Sequence, residues 1–153
     1  MSACVFNFVC ATCGTKFFAS GLSDFEYGTF VMRSLSGEEV YLEAISSPTY
    51  HEFRRLVRAS PLLESFEDRK RTKVMQEAFT VACDPDRNGE KFTIGLQPTC
   101  PKCSSREMAS WGPVSPPESS PIPPVLHTRW SRMTAEEKRK TVDIAIRRII
   151  GLE

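Results

Sequence analysis

The chain has 153 residues, 41% of them hydrophobic and 25% charged, which suffices for one buried core and excludes a disordered tail. Twenty basic and nineteen acidic side chains leave a formal charge of +1, so no global pull toward nucleic acid or an anionic membrane is expected. No stretch approaches the roughly 18 apolar residues of a membrane span, and MSACVFNFVCATC lacks the basic region and apolar run of a signal peptide, which predicts a cytoplasmic protein.

Residues 4–10 place Phe6 and Phe8 on one face at period two, and residues 15–19 resume β-type composition after Cys13 and Gly14. The first C-x-x-C, Cys10 and Cys13, is thus expected at the tip of a hairpin. Gly14 suits a backbone that turns with positive φ so that amides can point at thiolate sulfurs. Residues 29–35 and 38–44 read as a second hairpin turning at Ser36 and Gly37. Ser47, Pro48 and Thr49 offer a cap and a first-turn proline for a helix with Tyr50, Phe53 and Val57 on its apolar side. Another helix is expected from Ser60-Pro61, presenting Leu63, Phe66, Val74 and Met75 and turning its charged run, residues 67–73, to water.

Residues 79–83 and 92–96 both alternate around the turn-rich stretch 84–89 and read as a further hairpin feeding the second pair, Cys100 and Cys103, with a short strand over 107–111 returning from it. From Pro113 to Pro124 six of twelve residues are proline, which predicts a semi-rigid extended linker. Thr134 and Glu137 then form a capping-box pattern, and Val142, Ala145, Ile146 and Ile149 make the apolar stripe of a C-terminal helix. The expected organisation is a domain over 1–112, a linker over 113–124 and an amphipathic helix within 125–153.

Four of the six cysteines fall in two C-x-x-C pairs, the spacing of a tetrahedral thiolate site, so Cys10, Cys13, Cys100 and Cys103 are expected to hold one structural Zn²⁺. Three disulfides would be the alternative in an exported chain. Cys4 and Cys83, in phase with apolar neighbours, read as buried small hydrophobes. Two facing knuckles on short antiparallel strands resemble the zinc-ribbon class, over some thirty-five to forty residues at the two ends of the domain. The eighty-six residues from 14 to 99 that separate the knuckles depart from a compact ribbon and must themselves be folded. The expected fold class is therefore α+β: a zinc-ribbon-like antiparallel core with an inserted hairpin, two helices and a C-terminal helix.

Other signals are weaker. Asp84, Asp86, Asn88 and Gly89 match the first half of a calcium loop, but Gly95 stands where the bidentate glutamate is needed. A zinc deaminase would need an H-x-E motif, whereas Glu52 follows His51 directly and Thr99 precedes Cys100. Basic clusters at Arg54, Arg55 and Arg58, at 69–73 and at 138–140 are interleaved with acidic residues and read as solvated helix faces before phosphate contacts. By elimination the chain reads as a non-catalytic protein-binding module, in the manner of an immunity protein, adaptor or small regulator. Val142, Ile146 and Ile149 would bind either a partner or the chain's own core. A nucleic-acid-binding zinc ribbon is the second reading and a zinc-dependent enzyme the third.

Overall fold

A computed structural model describes residues 3–22 and 28–152. In chain order the elements are β1 (Ala3–Cys10), β2 (Lys16–Leu22), β3 (Thr29–Ser34), β4 (Glu39–Glu43), α1 (Pro48–Arg58), α2 (Asp68–Ala78), β5 (Phe92–Ile94), β6 (Met108–Pro113), α3 (Thr128–Ser131) and α4 (Ala135–Ile150). Among the described residues these make two three-stranded antiparallel sheets, ordered β2-β1-β6 and β4-β3-β5, with four helices, an α+β architecture as expected. No helix among them is long and apolar enough to cross a membrane.

The first sheet carries both cysteine pairs. β1 and β2 form the expected hairpin, pairing Phe8 with Phe17 and Phe6 with Ala19, and β6 returns from the second pair to lie on the other side of β1. Phe6, Phe8 and Cys4 form a small separate core under this sheet. Gly21 is required there, because a Cβ at that position would meet the Phe6 ring at 2.6 Å.

The second sheet presents Met32, Val40 and Leu42 to the helices and buries all three. Tyr50, Phe53 and Val57 of α1, spaced on one face, complete that layer, and Ser47 caps the helix by accepting from the Tyr50 amide at 3.1 Å. The opposite face of β3 holds the link between the sheets. There the buried Arg33 pairs with Glu39 at 2.8 Å, donates to the carbonyl oxygens of Ser20 and Leu96, and lies 5.7 Å from the Phe8 ring centre.

Two expectations about the middle of the chain are corrected. Residues 79–83 are not a strand: Phe79–Ala82 is a 3₁₀ turn that continues α2, and β5 pairs with β3 instead. Met75, Ala78, Phe79 and Ala82, all buried, follow helical spacing, which a five-residue window cannot separate from alternation. Ser60-Pro61 opens only the 3₁₀ turn Pro61–Leu63, and α2 begins at Asp68. The turn at 84–89 uses its acids locally. Asp86 accepts the Asn88 and Glu90 amides at 2.8 and 2.9 Å, and Asp84 accepts the Arg129 amide at 3.0 Å.

The proline-rich stretch does not stand away from the sheets. Its non-proline groups continue the path of β6 along the start of β1, with Val114 donating to Val5, Val5 to Glu118 and Ser120 to Ala3. It then lies on the free edge of β4, where Tyr41 donates to Pro123 and Val125 to Tyr41. Edge pairing of this kind tolerates the missing proline donors. The chain is thereby led to α3 and α4, and α4 packs on α1 and α2. The capping box forms as read: Thr134 and Glu137 exchange hydrogen bonds at 3.0 and 3.1 Å. Of the two destinations open to the apolar stripe, the chain's own core is the observed one. Val142 and Ile146 are buried in it, and Ile149 packs against it.

Trp130 anchors this C-terminal segment. It is 1% exposed, its ring centre is 5.6 Å from that of Phe53, and its indole N–H donates to Glu52 at 2.7 Å, which Lys138 also contacts at 3.0 Å. Trp130→Ala is expected to cost about 3–5 kcal/mol, the range for emptying a large aromatic site. Urea denaturation measures it, and a loss under about 1 kcal/mol would mean that the segment does not hold the core together.

Candidate metal centre

The two cysteine pairs are built alike, although one follows a strand and the other a loop. In the first, the Cys10 amide donates to Thr15 O at 2.9 Å and the Gly14 amide returns to Cys10 O at 3.0 Å. In the second, the Cys100 amide donates to Ser105 O at 2.8 Å and the Ser104 amide returns to Cys100 O at 2.9 Å. The residue after each second cysteine is left-handed, Gly14 at φ 75° and Ser104 at φ 64°. Gly14 was legible from its type. Ser104 was not, because a serine carries no sequence signal for that conformation.

The knuckles face each other across the 86 residues of chain that separate them. Cys10 Sγ lies 3.5 Å from Cys103 Sγ, Cys13 Sγ lies 3.6 Å from Cys100 Sγ, and all four sulfurs are within 4.8 Å of one another. These separations exclude a disulfide among the four, whose sulfurs would then stand about 2.05 Å apart. They approximate the roughly 3.8 Å edge of a tetrahedron with metal–sulfur bonds of about 2.3 Å. Among the described residues this is the one group of three or more potential ligands able to hold a metal ion. Thr12 Oγ1 donates to Ser105 Oγ at 2.9 Å and ties one knuckle to the other beside the sulfurs.

The electrostatics also favour a bound cation. The Thr15 hydroxyl, 3.1 Å away, and the Thr15 amide hold the Cys13 thiol down to about 6, and the Cys13 amide, with that of Thr12, lowers Cys10. The Ser105 amide favours the Cys103 thiolate too, but desolvation and the three neighbouring sulfurs outweigh it and push Cys103 up to about 12. Four thiolates packed this closely cannot all be charged alone. A divalent cation at their centre removes the conflict.

The remaining sequence candidates lie elsewhere. His51 Nε2 contacts Ile45 O at 2.5 Å and His127 Nδ1 contacts Ala82 O at 2.7 Å, so both rings are engaged with backbone. Cys4 and Cys83 are buried, and burial pushes the Cys83 thiol well up, as suits a small core hydrophobe. Val142, Ile146 and Ile149 belong to the core on α4.

Two outcomes follow for purified, reduced protein. The native chain should carry one metal equivalent, and Cys10→Ser or Cys100→Ser should lower both metal content and melting temperature; elemental analysis well under half an equivalent in the native chain would contradict this. Ser104→Gly, which relieves a left-handed serine, should raise stability by about 1 kcal/mol in chemical denaturation. Comparison with protein-family models, with curated proteins and with solved structures finds no match to this chain, so the reading of function rests on its own residues.

Proposed function

We propose that the four cysteines hold one structural Zn²⁺ and that the protein is a non-catalytic protein-binding module, of the adaptor, immunity-protein or small-regulator kind. The observation that carries the first half is the convergence of four sulfurs within 4.8 Å of one another. Four thiolates complete a tetrahedral shell and leave no position for water or substrate, so such a metal staples the chain and does not activate a reactant. Zinc binding of this type is worth roughly 10–16 kcal/mol in small peptides, against the ~5–15 kcal/mol total stability of a typical domain.

The second half is supported by an exposed aromatic on the same sheet. Trp111, on the edge strand β6, is 55% exposed, and its ring is stacked at 6.5 Å on the buried Phe8, itself stacked on Phe17 at 5.7 Å. A tryptophan held in place by packing yet open to solvent binds with little further loss of side-chain freedom, and tryptophan is enriched among interface anchors. The balanced charge of the chain speaks for a protein partner over a phosphate backbone.

The test is affinity capture from the source cell with and without nuclease, using the native chain and Trp111→Ala. The expected result is a specific protein retained after nuclease and lost with Trp111→Ala, while metal content and melting temperature stay unchanged. Retention that nuclease abolishes would transfer the reading to nucleic acid, where the same ring would stack on a base.

A further inference from the structure

A cleft of about 690 Å³ opens between the β3–β4 hairpin and helices α1 and α2, and none of the four clustered cysteines lines it. That volume lies within the roughly 300–1,000 Å³ of small-molecule sites. Its floor is apolar: Phe30 from β3, Tyr50 and Val57 from α1, and Met75 from α2, the last three at most 8% exposed. Three guanidinium groups line the same cleft, Arg54 and Arg58 from α1 and Arg71 from α2.

Among the described residues the charges there are unbalanced. Asp68 is the one acid among the described lining residues, and it pairs with Arg71 at 3.7 Å while itself 93% exposed. Arg71 Nε also donates to Phe66 O at 2.8 Å. The guanidinium groups of Arg54 and Arg58 make no hydrogen bond or ion pair with any described residue, and as like charges four apart on one helix they repel each other mildly. His51 also lines the cleft, its ring in contact with the Ile45 carbonyl at 2.5 Å. An apolar floor beside two guanidinium forks that no described residue pairs has the chemistry of a site for an apolar body carrying a planar or tetrahedral anion.

We propose that this cleft binds a small amphipathic anion, an apolar chain or ring bearing one carboxylate or phosphate group. The apolar part lies on Phe30, Tyr50, Val57 and Met75, and the acidic group is received by Arg54 and Arg58. Because the metal cluster shares no residue with the cleft, this site stands whether or not the protein-binding reading does.

The experiment is isothermal titration of the full metal-loaded chain with decanoate, decyl phosphate and decyltrimethylammonium, each below its micelle-forming concentration. The probes are repeated on Arg54→Glu/Arg58→Glu and on Arg139→Glu/Lys140→Glu, which makes the same charge change on exposed α4 positions. The expected result is saturable one-to-one binding of an anionic probe that weakens at least tenfold in the cleft variant and less than twofold in the α4 variant, with no binding of the cation. Whichever of decanoate and decyl phosphate binds more tightly identifies the acidic group. Absence of saturable binding by both anions to the native chain below about 1 mM would overturn the proposal, as would equal binding of the cation or an equal loss in both variants.

Discussion

Four thiol sulfurs gathered within a few ångströms, two from each end of an eighty-six-residue segment, are the constraint on which the architecture turns. Their neighbouring amides favour the charged form at Cys10 and Cys13, while crowding opposes it at Cys103. As four thiolates such a cluster would require a cation at its centre, and a metal there would fix the hairpin of β1 and β2 against the loop that leads into β6 and so bracket everything between them.

What lies between is a second structure with its own core. The β4-β3-β5 sheet and the helices bury one continuous apolar layer, while the cysteine-bearing sheet keeps a separate, smaller one. Arg33 joins the two across the back of β3, reaching Ser20 on one sheet and Glu39 on its own, with its guanidinium on the Phe8 ring. A buried ion pair of this kind contributes little net stability by itself, but its directional bonds determine how the sheets meet. The proline-rich stretch makes the second junction. By pairing first with β1 and then with β4 it crosses from one sheet to the other and delivers Trp130 and α4 to the larger core.

The two candidate sites are thereby divided over the surface. The cysteine-bearing sheet presents one held aromatic, Trp111, whereas the helical side presents a cleft with an apolar floor and two arginines that no described residue pairs. The residues that looked most like a docking stripe, Val142 and Ile146, serve neither side, because burial in the core has already used their apolar surface.

Local chemistry was legible in the sequence wherever the signal was itself local. The paired C-x-x-C motifs, Gly14 in its left-handed turn, the hairpin at Ser36 and Gly37, the Ser47-Pro48 start of α1 and the Thr134–Glu137 capping box all depend on residues a few positions apart, and all appear as read. Tertiary structure decided the rest. Residues 79–83 are compatible with either period, and contact with the core chose the helical one. The apolar stripe of α4 required burial without naming a surface, and its place on α1 and α2 depends on where the proline-rich stretch could find unpaired strand edges. Arg54 and Arg58 read as solvated charge because nothing in their own helix shows that Phe30, from a distant strand, stands across from them. The sequence by itself determined which residues could bind metal, turn or cap, since those properties belong to side chains and their near neighbours. Which faces met, and which clefts were left between them, only the packing of the whole chain could decide, because burial depends on neighbours tens of residues away.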